Sequence, residues 1–121
     1  MTSKVITGSL RRYGYHDEAA TIAFAILEAA QYFLGRLPET FAGYERSLTD
    51  YPVEYPTACS PQAWATGAPL LLLRIMLGLE ARDGAIEQHP VLAGRIGSLA
   101  LTGLPGPAGS YDASSAQAAQ V

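Results

Sequence analysis

A chain of 121 residues is long enough for one domain, or for a piece of a larger one. Its net charge is -3, with 8 Lys and Arg against 11 Asp and Glu, and the basic residues are scattered. Because nucleic-acid and anionic-membrane binders need a clustered basic face, we expect neither kind of partner. The charged fraction of 16% favours packed helices over a disordered chain.

The few thiol and imidazole groups limit the chemistry further. Cys59 is the single cysteine, which excludes an internal disulfide framework and a thiolate cluster for zinc. His16 and His89 lie far apart without the spacing of metal ligands, so we expect neither a metal nor another cofactor. No targeting segment is visible, and the most apolar stretch is interrupted by polar residues and a proline before it is long enough to span a bilayer. The sequence therefore predicts a cytoplasmic protein with no membrane partner.

Helical periodicity dominates the first third of the chain. Residues 4–13 predict a short helix that ends at Gly14, where a left-handed cap residue usually lies. A longer helix is predicted from about Asp17 to Leu34, with acidic residues in its first turn and Gly35 after its end. Most of the circumference of this second helix is apolar, which indicates neighbours on several sides.

Residues 35–60, called the long loop below, show neither helical nor strand periodicity. A connection this long is uncommon inside a compact domain and is usually functional. Ser60 as N-cap and Pro61 as first helical residue then predict a helix that runs to about Leu79 and is apolar nearly all round. We expect Pro69 to kink this helix or to divide it in two.

The last part of the chain has weaker signals. Alternation around Leu99 and Leu101 predicts one short strand, and Val91 and Leu92 are a candidate for another. From Pro105 onward small and polar residues predict a frayed tail.

The two long helices carry more apolar surface than so few elements are expected to cover. Exposed apolar surface costs about 25 cal/mol per Å² and favours association. The chain is therefore expected to be either an obligate oligomer or a segment of a larger helical assembly, and we favour the segment.

The long loop contains the best candidate for a site. Carbohydrate sites combine carboxylates for proton transfer with flat aromatic faces that pack on sugar rings. Glu39 is the first candidate carboxylate, and Glu45, Asp50 and Glu54 follow it among several aromatic residues. Glycoside hydrolysis usually takes two carboxylates, one as acid and one as base or nucleophile.

Three runs of residues resemble a known family: Arg11 to Tyr15, Arg36 to Gly43, and above all the proline-bearing motif from Tyr55 to Ala65. They are similar to the C-terminal part of glycogen-debranching, amylo-alpha-1,6-glucosidase-type glycoside hydrolases, over roughly residues 3 to 104. The resemblance implies a mainly α fold, namely a segment of an alpha/alpha six-barrel followed by one or two short strands. It assigns residues 1–104 to that catalytic domain and residues 105–121 to the tail.

The resemblance also implies roles for individual residues. Glu39 matches a late carboxylate, the general base that activates water, and Arg36 would hold it ionised or contact a sugar hydroxyl. The other implied substrate contacts are Phe41, Tyr44, Gln62 and Trp64. The general acid would lie well upstream, in helices that this sequence does not contain. The chain is thus expected to be inactive alone, its partners being an alpha-glucan or oligosaccharide and those missing N-terminal helices.

Two other interpretations stay open. The chain is alternatively a non-catalytic helical module that forms an obligate oligomer or binds a partner through its apolar helices. It is also a candidate for a free-standing carbohydrate-binding piece that uses Trp64, Tyr44 and Tyr51. The sequence does not specify the sugar, the linkage or the anomeric outcome.

Overall fold

The computed structural model describes residues 2–92, 96–106 and 109–116. Within these ranges the chain forms three α-helices and four β-strands. The helices are α1 (Thr2–Arg12), α2 (His16–Ala30), which continues as a short 3-10 helix (Gln31–Phe33), and α3 (Ala63–Leu77). The strands are β1 (Leu79–Arg82), β2 (Ala85–Gln88), β3 (Ala100–Gly106) and β4 (Gly109–Ser114).

The first two helices confirm the periodicity of the sequence. Gly14 follows α1 with a φ of 89°, a conformation that glycine adopts without strain. The last turn of the second predicted helix tightens into the 3-10 helix, and Leu34 and Gly35 follow it with φ values of 53° and 77°. The amide of Gly35 donates to the carbonyl of Ala30 at 2.9 Å, which closes the end of the helix.

The start of α3 differs from its prediction. Gln62 has an extended backbone, and its side-chain oxygen accepts the amide of Ala63 at 3.0 Å, so Gln62 rather than Ser60 is the N-cap. The prediction of a first helical Pro61 was therefore wrong. Pro69 lies inside α3, which continues through it to Leu77 without dividing.

The strands pair as two antiparallel hairpins. β1 and β2 are joined by Asp83 and Gly84, whose φ values of 50° and 80° are the positive values that a tight hairpin turn requires. β3 pairs with β4 in a register that shifts between Leu101 and Leu104. Within the described residues these are separate two-stranded sheets.

Helix α3 contributes to each of three hydrophobic clusters. Ala65 and Ala68 pack with alanines of α2 and with Leu37, and Leu72 and Met76 pack with Ala23. The third cluster joins Leu77 to residues of both hairpins, Leu79 and Ala113. The buried contacts of α2 with α3 are thus made by alanines, and residues of the hairpins pack at the carboxyl end of α3.

The predicted fold class, a mainly α segment of an alpha/alpha six-barrel, was wrong. The described residues form a small α+β arrangement in which helices and β-hairpins share one chain. The physical reason lies at the end of α3, where Leu72, Met76 and Leu77 are 0–1% exposed. The chain's own helices and hairpins therefore enclose this half of the apolar helix, without an outer ring of helices.

The remaining strand predictions were partly right. The strand expected around Leu99 and Leu101 is β3, although it begins at Ala100 and continues to Gly106. Val91 and Leu92 are not in a strand, but the amide of Val91 donates to the carbonyl of Met76 at 2.8 Å. The segment predicted as a frayed tail contains the end of β3 and all of β4, whereas residues 117–121 lie outside the described residues.

No helix in the described part of the chain combines the length and the apolarity needed to cross a bilayer.

Candidate functional site

The long loop folds back on itself and is anchored on the helices. Leu37 is buried in the cluster between α2 and α3, which fixes the beginning of the loop. The amide of Ala42 donates to the carbonyl of Val53 at 2.8 Å, and the amide of Tyr55 donates to the carbonyl of Thr40 at 3.0 Å. These bonds join the two arms of the loop on the carboxyl side of Glu39, so this residue has a defined place.

The carboxylate of Glu39 joins the first arm of the loop to the segment that precedes α3. Its Oε2 atom accepts the backbone amide of Cys59 at 3.1 Å. This bond lowers the pKa of Glu39 from its ordinary value, and the thiol of Cys59 and the side chain of Gln62 lower it further. Glu39 is exposed, so the contacts that hold it ionised leave it accessible to water and to a ligand.

Gln62 takes part in both the helix and the site. Its side-chain oxygen accepts the amide of Ala63, and its side chain contributes to lowering the pKa of Glu39. The N-terminus of α3 is thereby connected to the candidate base. Trp64 follows two residues later, in the first turn of α3, and 59% of its surface is exposed.

The structure brings the predicted site residues together only in part. Cys59 lowers the pKa of Glu39 most and Gln62 lowers it less, whereas Arg36 is exposed and is not among the groups that lower it. Phe41 is half-buried, with its ring centroid 5.6 Å from that of Phe33, so it packs the loop against the helical cluster. The roles of Arg36 and Phe41 as substrate contacts stay predictions.

The other loop acids have different surroundings. Glu45 accepts a hydrogen bond from the hydroxyl of Ser47 at 3.5 Å within a turn. Glu54 lies in the bridge opposite Phe41. Tyr44 and Tyr51 are exposed on the part of the loop beyond this bridge. Glu39 is thus the loop carboxylate that the structure ties to the start of α3.

One functional group escaped the sequence analysis. The side chain of Cys59 is exposed, and its backbone amide is the donor that orients Glu39. Every non-proline residue carries such an amide, so no side-chain pattern marks this position.

The geometry supports one kind of chemistry. An exposed carboxylate that stays ionised at neutral pH accepts a proton from a bound water, and a carboxylate offers about four lone-pair sites, more than the described contacts with Cys59 and Gln62 occupy. The indole of Trp64 provides a flat apolar face two residues after the N-cap, in the first turn of α3.

Comparison with known proteins does not assign the chain to a family. No protein-family model matches it, and no curated protein or solved structure is similar enough to count as a match.

Proposed function

We propose that this chain carries the water-activating half of a glycoside hydrolase site that acts on alpha-glucan in the cytoplasm. The observation that supports this function is the carboxylate of Glu39, held ionised by the amide of Cys59 at 3.1 Å and exposed to solvent. This function does not require a barrel, because the loop and the start of α3 position the carboxylate by themselves.

In this function Glu39 removes a proton from a water molecule while the oxygen of that water attacks the anomeric carbon. The leaving sugar oxygen needs a proton from a second carboxyl group, which a further polypeptide segment would provide. Trp64 packs on the apolar face of a glucose ring, and Gln62 fixes Glu39 relative to the indole. Tyr44 offers a second aromatic contact from the loop. The debranching-type glycosidases that the sequence resembles use this division of roles.

Replacing Trp64 with alanine is expected to weaken the binding of an alpha-1,6-linked oligosaccharide such as isomaltotriose by about tenfold or more, because aromatic anchors contribute about 1–2 kcal/mol or more to such contacts. Trp64 is the single tryptophan, so its fluorescence in the unmodified chain reports the sugar directly. Calorimetric titration measures the affinity of the variant.

Tyr13→Ala is the matched control, since Tyr13 is 79% exposed on a different part of the surface. Equal affinities of the two variants, or no response of the fluorescence of Trp64 to the oligosaccharide, would remove Trp64 from the sugar site.

A second candidate function is a non-catalytic module that associates through α3, favoured by one observation. Leu70 lies on α3 with 68% of its surface exposed, although its neighbours Leu72 and Met76 are buried. Analytical ultracentrifugation separates the two functions. A discrete dimer that Leu70→Glu dissociates would support self-association, with Leu48→Glu in the loop as an equally exposed control. A Kd of roughly 1 μM or tighter gives complexes at tens of micromolar, so a monomer at that concentration would dismiss self-association.

A further inference from the structure

A polar cleft of about 480 Å³ lies at the opposite end of α3 from Glu39. It is formed where the end of α1, the start of α2, the segment after β2 and the residue after β4 meet. Its polar lining consists of donors and amides: Arg11, His16, Gln88, His89 and Ser115. No carboxylate belongs to this lining within the described residues.

Arg11 gives the cleft a permanent positive charge. Its guanidinium is half-buried and donates from Nη2 to the carbonyl of His89 at 2.5 Å, which holds the side chain against the wall. Burial lowers the pKa of Arg11 and Glu80 opposes that effect, but a guanidinium remains charged at neutral pH. It has five N–H donors, and the bond to His89 uses one of them.

The imidazoles of His16 and His89 also line the cleft. His89 Nε2 lies 3.9 Å from the carboxylate of Glu87, and that carboxylate also lies 3.7 Å from Arg82 Nη1. Glu87 therefore lies between His89, which belongs to the lining, and Arg82, which does not. His16 is exposed at the first position of α2, where Asp17 and Glu18 follow it.

The polar amide of Gln88 is fixed by the second hairpin. It accepts the hydroxyl of Tyr111 at 3.1 Å and donates to the carbonyl of Ser114. The hydroxyl of Ser115 is fixed as well, since its oxygen accepts the amide of Leu99 at 2.8 Å. These bonds hold two of the polar side chains that line the cleft in fixed positions.

We propose that this cleft binds the phosphate group of a small phosphorylated molecule. The guanidinium and imidazole donors of the lining come from several segments and suit an anion such as phosphate, whose acceptor oxygens point in several directions. The volume lies within the range of about 300–1,000 Å³ that is typical of small-ligand sites, so there is room for the organic part of a phosphate ester beside its phosphate. The cleft is separate from Glu39, and the proposal is independent of the glycosidase function.

The test is a titration of the ¹⁵N-labelled chain with inorganic phosphate and, separately, with glycerol 3-phosphate at low ionic strength, followed by amide chemical shifts. We expect saturable shifts at His16, Gln88 and His89 with both probes. Tighter binding of glycerol 3-phosphate would identify an ester as the ligand, whereas equal affinities would identify phosphate itself.

Two variants and a control make the result decisive. Arg11→Gln is expected to weaken binding by about tenfold or more, because a charge-assisted hydrogen bond is lost. Arg12→Gln removes the same charge from the neighbouring, exposed residue and should change the affinity by less than about threefold. His89→Gln keeps the carbonyl that Arg11 contacts, so it tests the cleft in a chain whose fold is preserved, and a loss of about threefold or more is expected.

The proposal is overturned if the shifts map outside the cleft, if they do not saturate, or if Arg11→Gln and Arg12→Gln weaken binding equally. An unchanged affinity in the folded His89→Gln variant would also contradict it.

Discussion

Replacing Glu39 with glutamine should reduce the hydrolysis of alpha-D-glucopyranosyl fluoride by about 10²–10⁴-fold, the usual contribution of a positioned general base. Fluoride leaves the anomeric carbon without being protonated, so this substrate removes the need for a general acid. Water supplies the new bond to carbon, Glu39 takes its proton, and the carbon–fluorine bond breaks with release of fluoride. A fluoride electrode measures the rate.

Glu39→Gln is well suited to this measurement, because its amide oxygen still accepts the N–H of Cys59 and the loop keeps its anchor. Glu45→Gln is the matched control, since it removes an exposed carboxylate from the same loop. We expect the chain to leave an alpha-1,6-linked glucan intact while it releases fluoride. Hydrolysis of the glucan by the chain alone would show that a general acid is present after all, and equal fluoride release by both variants would refute the role of Glu39.

The pH dependence of fluoride release follows from the environment of Glu39. Its carboxylate must be ionised to accept a proton, and the amide of Cys59 lowers its pKa from the ordinary value. The rate should therefore persist as the pH falls through about 4.3, the usual pKa of glutamate, and should decline only below it. A decline that begins well above this range would assign the acid limb to another group.

Replacing Gly78 with alanine should destabilise the fold by roughly 2–5 kcal/mol, the combined cost of a left-handed backbone and of overpacking. Gly78 ends α3 with a φ of 63°. An added Cβ would overlap the carbonyl of His89 and the guanidinium of Arg11, and the carbonyl belongs to the backbone and cannot rotate away. Urea unfolding followed by circular dichroism gives the free energy of unfolding.

Gly67→Ala provides the comparison, because Gly67 lies in the same helix and a Cβ there meets open space. That change should leave stability unchanged or raise it by about 1 kcal/mol, the difference in helix propensity. If the two alanine variants unfolded at the same urea concentration, the close approach of His89 and Arg11 to Gly78 would not contribute to stability.

The helices could be predicted because their signals are local. Apolar periodicity and Gly14 predict α1, and Gly35 predicts the end of the second helix. The structure differs in that the last turn of this helix is a 3-10 helix. The start of α3 was placed at Ser60 because Ser before Pro is a common opening, whereas the cap is made by Gln62, a residue type with no strong preference for that position.

The hairpins were missed for two different reasons. The pair Asp83 and Gly84 is a strong hairpin signal, but the flanking residues do not alternate clearly, so it was passed over. β4 is composed of small and polar residues that also suit a tail, and it pairs with β3 because Ala113 reaches the cluster around Leu77. Without these strands the end of α3 looked uncovered, and the fold class was assigned wrongly.

The sequence predicted the carboxylate of the site but not the hydrogen bond that holds it in place. Glu39 was selected by its place in the loop and by the resemblance, while the bond from Cys59 depends on how the two arms of the loop meet. The contact between the two arms depends on the tertiary structure, so the local sequence around Glu39 does not reveal it.

The arrangement of α3 has a consequence for how the molecule opens. Residues of this helix belong to all three hydrophobic clusters, so neither hairpin can detach without uncovering a side chain that the helices also need. The loss of any one cluster would therefore weaken the packing of the other two. The described elements should unfold in a single cooperative transition.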